Sequence, residues 1–257
     1  MKVLAFASQK GGSGKTTLAG HIAVQAERAG AGPVALIDTD PQGSLAEWWN
    51  ERAAPTPVFA QTVIARLQAD MDRLRGMGTK LVVIDTPPAI TATIQHVISA
   101  SDLVAVPMRP SPHDLRAAGA TVEMVERAGK PLVFVINAAT PRARITAEAA
   151  IALSQHGTLA PVTIHHRTDF AASMIDGRTV VELDPKSNSA LEITQLWDYL
   201  ATRLNKDFRR TVFQPAGTTR VFGRRTVETG EVACSSSKHP PSPARCSPAR
   251  ARRCRRS

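Results

Sequence analysis

The first 208 residues of the 257-residue chain contain no cysteine, because Cys234, Cys246 and Cys254 all lie beyond them. A segment without cysteine forms no disulfide bond and offers no thiolate to a metal. The sequence therefore excludes a disulfide-stapled scaffold and a cysteine-held metal cluster for this part of the chain.

Long apolar runs are also absent. The first run, Val3–Ala7, stops at the polar pair Gln9-Lys10 and is shorter than the apolar region of a secretory signal, which spans about 7–15 residues. No other run approaches the roughly 18 residues that cross a bilayer. We expect a cytoplasmic protein without a membrane partner.

The net charge of +10 is confined to the end of the chain. Residues 1–208 carry 20 Lys/Arg and 20 Asp/Glu, whereas residues 209–257 carry 12 Lys/Arg against Glu228 and Glu231. The second segment is also rich in serine and proline, so it cannot bury enough apolar surface to offset the entropy of ordering the chain. We predict a folded domain over 1–208 and a disordered basic tail over 209–257.

Within the predicted domain, short apolar runs alternate with helix-like segments. Runs that are apolar on both faces indicate strands covered on both sides, so we predict an α/β fold with a mainly parallel, twisted sheet and helices on both faces. The strand candidates are Val3–Ala7, Val34–Ile37, Leu81–Ile84, Leu103–Val106, Leu132–Ile136 and Val162–Ile164. The helix candidates are 18–29, 44–51, 61–76, 91–100, 114–128, 143–156, 168–176 and 189–206.

A glycine-rich turn, Gln9–Thr17, lies between the first strand candidate and the first helix candidate. Strand, glycine-rich turn and helix in this order are the context of a phosphate-binding loop. The backbone N–H groups of such a turn converge on phosphate oxygens, and the helix N-terminus adds the positive end of its dipole. Lys15 is placed to neutralise the β- and γ-phosphates, and the Thr16 hydroxyl to complete a Mg²⁺ shell. The residues predicted to bind nucleotide here are Gly11, Gly12, Ser13, Gly14, Lys15, Thr16 and Thr17.

Carboxylates follow two further strand candidates. Asp38 and Asp40 come after the second run, and Asp85 ends the third. Ligands of open α/β sheets bind at the carboxyl ends of the strands, so these side chains are expected beside the phosphate-binding loop. An acidic turn that caps the helix near Ser44 remains an alternative interpretation for Asp38 and Asp40.

The pattern K-G-G-x-G-K-T-[ST], which begins at Lys10, resembles the deviant Walker A motif of the ParA/MinD family of ATPases. The proline-rich segment Val106–Leu115 is similar to the dimer-interface segment of the short plasmid-type ParA proteins, and no long N-terminal extension precedes the loop. The resemblance covers about residues 1–206. It implies a P-loop NTPase fold, with ATP and Mg²⁺ as ligands.

The resemblance also implies roles for single residues. Lys10 would reach across an ATP-dependent homodimer to the partner's nucleotide, and Asp40 would position the attacking water. Asp38 and Asp85 would join Thr16 in holding Mg²⁺, the carboxylates acting through water. Asn137, at the end of a strand candidate, matches the position that reads adenine, although a strand-end Asn that closes a turn is an equal alternative. The catalytic set is then Lys10, Lys15 and Asp40.

By this resemblance we expect a partition ATPase that dimerises on ATP, binds DNA without sequence preference and hydrolyses ATP when a ParB-like or other partner protein stimulates it. Such a protein would be associated with the nucleoid. Scattered surface charge is an alternative for the basic residues that are candidates for contacting DNA. These are Arg142, Arg144, Arg167, Arg178, Lys186, Arg203 and Lys206.

Other functions remain open within the same superfamily. A MinD-like membrane cycler needs a C-terminal amphipathic helix with an exposed apolar face, whereas the stripe of the last helix candidate is better used against the sheet. The reductases related to nitrogenase iron protein need cluster cysteines, and the tyrosine kinases end in a tyrosine cluster, whereas Tyr199 is the only tyrosine here. A protein-cargo-positioning ATPase or an ATP-dependent synthetase stays possible, because a phosphate-binding loop does not name the acceptor.

Overall fold

The computed structural model describes residues 1–89 and 91–206. Within these ranges seven strands form one sheet in the order β3-β2-β4-β1-β5-β6-β7, and every neighbouring pair is parallel. The strands are β1 (Lys2–Phe6), β2 (Val34–Asp38), β3 (Val58–Phe59), β4 (Leu81–Asp85), β5 (Leu103–Met108), β6 (Leu132–Ala139) and β7 (Thr158–His165).

Helices connect the strands and cover both faces of the sheet. A 3₁₀ turn, Ile64–Arg66, precedes the third helix. The helices of the described residues are α1 (Lys15–Arg28), α2 (Ser44–Asn50), α3 (Leu67–Gly76), α4 (Thr91–Ala100), α5 (Pro112–Arg127), α6 (Arg144–Ser154), α7 (Thr168–Met174), α8 (Val180–Leu183) and α9 (Asn188–Asn205).

The alternation of strand side chains divides the core into two sides. On β1, Leu4 and Phe6 pack with α1, α8 and α9, whereas Val3 and Ala5 pack with α3 and α4 on the opposite face. All four side chains are buried, which explains why the run reads as continuously apolar. The predicted parallel α/β architecture with helices on both faces is therefore confirmed.

The last helix, α9, uses its apolar stripe inside the protein. Ile193, Leu196, Trp197 and Leu200 are buried in the cluster that also contains α1. The stripe is thus part of the core, as its spacing predicted. Among the described helices, none combines the length and apolarity that spanning a bilayer would demand. The predicted tail over 209–257 lies outside the described residues.

The sheet places the functional segments at one edge. β1 lies between β4 and β5, with Phe6 in register with Asp85 on one side and Ala105 on the other, and Asp38 at the end of β2 is in register with Asp85. The connection after β1 leads to β2, whereas the connection after the neighbouring β4 leads to β5 on the other side of β1. The point where such connections run in opposite directions is where open α/β sheets bind their ligands. The segments that follow β1, β2, β4 and β5 therefore converge.

Candidate nucleotide-binding site

The glycine-rich turn adopts a backbone that only glycine accepts without strain at two positions. Gly12 has φ 70° and Gly14 φ 94°. A Cβ at Gly14 would also lie 2.0 Å from Nδ2 of Asn137, which donates to the carbonyl of Ser13 at 2.8 Å. Gly14 precedes α1 and no side chain caps the first turn, so the N–H groups of that turn remain available to an anion. The turn has the form of a phosphate-binding loop.

Lys15 supplies a positive charge inside the loop. Its side chain is buried, and Nζ donates to the carbonyl oxygen of Lys10 at 3.2 Å. Burial lowers the pKa of Lys15, while the nearby carboxylates of Asp85 and Asp40 raise it and so offset part of that effect. A phosphate group placed in the loop would favour the charged form of the lysine further.

Asp85 and Thr16 form the second part of the site. Thr16 Oγ1 donates to Asp85 Oδ2 at 2.5 Å, and the other carboxylate oxygen, Oδ1, is buried without a hydrogen-bond partner among the described residues. Burial raises the pKa of Asp85 to about 7. An orphaned carboxylate oxygen beside a hydroxyl is a set of hard oxygen donors, and a divalent cation would satisfy it. The residues present therefore fit Mg²⁺.

Asp38 uses its carboxylate for local backbone contacts. Oδ1 accepts from the N–H of Asp40 at 2.9 Å, and Oδ2 accepts from Leu45 at 3.0 Å and Ala46 at 3.2 Å. Burial raises its pKa, and these three N–H donors oppose that shift. Since Leu45 and Ala46 lie in the first turn of α2, the capping interpretation describes what Asp38 contacts. Its Mg²⁺ role stays a prediction.

Asp40 faces the same space as the phosphate-binding loop. Its Oδ1 accepts from the N–H of Gln42 at 3.0 Å, and the residue lines a cavity of about 800 Å³ together with Lys15. A carboxylate here can orient a water molecule toward a phosphate held by the loop. The cavity is lined by Gly11, Gly12, Gly14, Lys15, Thr16, Thr17, Asp40, Gln42, Ser44, Glu47, Trp48, Glu51, Pro88, Arg109 and Met174.

Lys10 and Asn137 differ in the contacts that their side chains make. The half-buried side chain of Lys10 makes no hydrogen bond or ion pair with a described residue, which leaves its ammonium free for a group from outside the subunit. Asn137 is buried and braces the loop through its bond to Ser13. The adenine contact of Asn137 and the action of Lys10 across a dimer remain predictions.

The basic residues predicted to contact DNA fall into two groups. Arg144 pairs with Glu148, Arg167 with Glu192 and Arg178 with Asp176, while Arg203 donates to Thr158. The side chains of Arg142, Lys186 and Lys206 make no hydrogen bond or ion pair with a residue in the described ranges. Ion pairing reduces the charge that Arg144, Arg167 and Arg178 offer to phosphate. The DNA contacts of all seven residues remain a prediction.

His165, the last residue of β7, is held by a carboxylate. His165 Nδ1 lies 2.7 Å from Glu192 Oε1, and its backbone N–H donates to Oε2 of the same carboxylate at 3.0 Å. Arg167 binds this carboxylate through both terminal nitrogens at 2.7 and 2.8 Å. Glu192 is thus committed to fixing the end of β7 against α9.

Trp48, Arg109 and Met174 are among the residues of the cavity wall that sequence reasoning missed. Trp48, Arg109 and Met174 belong to α2, the β5–α5 connection and α7, which are far apart in the chain. Trp48 and Met174 read as ordinary apolar positions of helices, and Arg109 reads as part of a proline-rich turn. Only the packing of these elements around the carboxyl edge brings them to the phosphate-binding loop.

Comparison with known proteins agrees with this geometry. The model of the CobQ/CobB/MinD/ParA nucleotide binding domain matches residues 4–180. Maintenance of carboxysome distribution protein A of Halothiobacillus neapolitanus is 30% identical over 203 residues, which are 75% of this chain and 93% of that protein. The chromosome-partitioning ATPase Soj of Thermus thermophilus is 30% identical over 158 residues, 49% of this chain and 63% of that protein.

A solved structure shares the fold. The septum site-determining protein MinD of Pyrococcus horikoshii, in complex with Mg-ADP, superimposes with a TM-score of 0.65 at 15% identity, covering 77% of this chain and 95% of that one. The fold therefore agrees with the matched domain, which contains the loop, Asp40 and Asp85. The chain belongs to the ParA/MinD family of nucleotide-binding ATPases.

Proposed function

We propose that this protein is an ATP-driven positioning ATPase. ATP joins two subunits into a dimer, the dimer binds DNA without sequence preference, and a partner protein stimulates hydrolysis and thereby releases it. The protein would be associated with the nucleoid in the cytoplasm. The observation that carries the proposal is the convergence of Lys15, Asp40 and the Thr16–Asp85 pair beside the phosphate-binding loop. The side chain of the loop's other lysine, Lys10, makes no hydrogen bond or ion pair with the residues that the structure describes.

The chemistry follows from these positions. The N–H groups of the loop and Lys15 hold the phosphates, and Mg²⁺ would neutralise charge that develops on them. Thr16 and Asp85 would hold the metal, Asp85 as a carboxylate, because a bound cation favours the charged form that burial disfavours. Asp40 orients the attacking water, and Lys10 completes the site of the partner subunit.

Two kinds of cargo are compatible with this proposed cycle. Partition of DNA molecules is one candidate, through a ParB-like partner. The similarity to a carboxysome distribution protein over 93% of its length favours a protein assembly as the other. Both use the same ATP-dependent dimer, so the nucleotide site itself does not separate them.

ATP-dependent DNA binding tests the shared part of the proposal. Full-length protein is titrated into non-specific duplex DNA with Mg-ATP, Mg-ADP or no nucleotide, at several salt concentrations. We expect tight binding with ATP alone and an affinity that falls steeply as salt rises. Equal binding in all three states would remove the main support for a positioning ATPase and would favour an enzymatic role.

The ATPase rate then addresses the partner. It is measured with DNA, with the product of a neighbouring gene and with both together. We expect slow turnover alone and stimulation by the partner. A rate that neither addition changes would contradict partner-controlled release.

A further inference from the structure

One positively charged side chain of the cavity wall, that of Arg109, has no role in the ATPase chemistry described above. Arg109 follows β5 and lines the same space as Lys15 and Asp40. Its side chain is exposed and makes no hydrogen bond or ion pair with a residue of the described ranges. A guanidinium in this position can approach an anion bound by the loop without first breaking an internal contact.

The β5–α5 connection, which carries Arg109, is held next to the phosphate-binding loop at both of its ends, through β5 and through α5. A Cβ at Gly12 would lie 3.8 Å from Arg109 Nη2, an ordinary contact distance. The carbonyl of Arg109 accepts from the N–H of Ser111 at 2.7 Å, and β5 pairs with β1 directly before the loop. On the other side, the N–H of Gln9 donates to Thr121 Oγ1 of α5 at 3.2 Å. The β5–α5 connection and the phosphate-binding loop therefore keep their spacing.

The neighbours of the loop glycines show which phosphate Arg109 faces. Gly14, at the helix end, lies against Asn137, whereas the nearest atom to a Cβ at Gly11 is Cβ of Pro88, at 3.8 Å. Pro88 lies three residues after Asp85, which would hold the Mg²⁺ that neutralises charge on the β- and γ-phosphates. The Gly11–Gly12 side of the loop is thus the side of the terminal phosphate.

We infer that Arg109 binds the terminal phosphate of the nucleotide held by its own subunit and so makes the site prefer ATP to ADP. This inference rests on the proposed ATPase function. A planar guanidinium can form two parallel hydrogen bonds to phosphate oxygens, and such contacts disappear when the terminal phosphate is lost. Arg109 would therefore act as a sensor of the triphosphate state that governs the dimer.

The test compares nucleotide affinities by isothermal titration calorimetry of the full chain with Mg-ATP and Mg-ADP. In R109Q the affinity for ATP should fall about tenfold, the value of one charge-assisted hydrogen bond, while the affinity for ADP stays within about twofold. R109K should retain part of the preference for ATP. The matched control is R116Q, which removes an exposed arginine of α5 that does not line the cavity and should behave as the parent.

Two checks keep the interpretation specific. Without nucleotide, the thermal unfolding temperature of R109Q should equal that of the parent, because the side chain makes no hydrogen bond or ion pair with the described residues. The ratio of the ATP and ADP affinities should not change at a tenfold lower protein concentration. Equal losses for both nucleotides, no loss for ATP, or a loss that appears only at high protein concentration would overturn the inference. If the parent protein itself bound no ATP, the proposed function would fail instead.

Discussion

His21 lies on α1, the helix that follows the phosphate-binding loop, and its imidazole is fully buried. Nδ1 lies 2.8 Å from the carbonyl of Thr17, Nε2 lies 3.3 Å from Ser173 Oγ, and the ring packs against Phe170. Burial lowers the pKa of His21 to about 4. The histidine thus joins α1 to α7 in its neutral form.

This depressed pKa predicts a pH dependence of stability. In the unfolded chain a histidine titrates near pH 6.5, so between pH 6.5 and 4 the unfolded state binds a proton that the folded state does not. The contribution of His21 to stability should therefore fall as the pH falls through this window, by about 3 kcal/mol at pH 4. The raised pKa of Asp85 acts in the opposite direction, so the His21 contribution is the difference between the parent and a variant without this histidine. Denaturant unfolding at several pH values measures it.

The variant H21Q should lose this part of the pH dependence, whereas H96Q should keep it. His96 makes the same hydrogen bond to the carbonyl four residues earlier but is exposed on α4. Parallel stability curves for H21Q and the parent between pH 6.5 and 4 would show that His21 is not the group responsible.

Asp40 carries the second prediction at this scale. Asp40→Ala should leave nucleotide binding intact, since the phosphate contacts come from the loop and Lys15, but it should slow hydrolysis at least tenfold because the water is no longer oriented. The expected state is a long-lived ATP-bound dimer that stays on DNA. Single-turnover hydrolysis checks this; a parental rate would move the role to another carboxylate, with Asp38 next to be tested.

Single residues of the site were predictable where a short motif carries them. The loop glycines, Lys15 and Asp85 follow from spacing along a few residues and from the strand before them. Arg52 and His21 were not predictable in this way, because their partners Glu182 and Ser173 lie 130 and 152 residues further along the chain. Such contacts depend on the packed fold.

At the scale of elements, the end of α2 is joined to α8 by a buried ion pair. Arg52 donates through both terminal nitrogens to Glu182 at 2.8 and 3.1 Å, and it also bonds the carbonyls of Gly177 and Thr56. Its guanidinium lies 5.1 Å from the ring centre of Trp48, which lines the nucleotide cavity. This contact holds one wall of the cavity in place.

Breaking the pair should therefore destabilise the protein strongly. R52Q leaves the Glu182 carboxylate without its main partner, and removing one member of a buried pair costs about 3 kcal/mol. The control R178Q removes an exposed pair with Asp176, which solvent screens, so its loss of stability should be much smaller. Unfolding in urea compares the two. Similar small losses for both variants would mean that the Arg52 contact adds little to the packing of α2 against α8.

The elements themselves were largely predictable, and the exceptions have physical reasons. The two-residue strand β3 and the four-residue helix α8 are too short to show a period. The capping box of Thr179 and Glu182 marks the start of α8, but no apolar periodicity follows it. Helix α5 begins at Pro112, earlier than predicted, because Ser111 caps it by accepting from the N–H of Asp114 and proline suits the first turn. Strand β7 begins at Thr158 rather than Val162. It is an edge strand of the sheet, and its first residues do not form a clear apolar run.

At the scale of the whole molecule, the location of the excess positive charge along the chain predicts how the protein binds polyanions such as DNA. The excess of ten positive charges lies in residues 209–257, outside the described residues. Each phosphate that the protein neutralises contributes a slope of about −0.9 to log K against log salt. A chain of residues 1–208 should therefore bind DNA more weakly than the full chain and with a shallower slope, while its ATP dependence persists.

DNA titrations of both chains at several salt concentrations, with and without ATP, measure this difference. An unchanged slope would show that the tail makes no phosphate contacts. If ATP dependence were lost together with the tail, the switch would lie outside the nucleotide-bound dimer.

In the proposed cycle ATP joins two subunits into a dimer. Lys15 binds the nucleotide of its own subunit, and Lys10 binds the nucleotide of the partner subunit. Light scattering of the 27.5 kDa chain with Mg-ADP and with Mg-ATP tests it directly. We expect a monomer with ADP and twice that mass with ATP. K15A should fail to bind nucleotide, whereas K10A should bind ATP yet remain a monomer and lose hydrolysis. A K10A variant that still doubles its mass with ATP and turns over at the parental rate would contradict the claim.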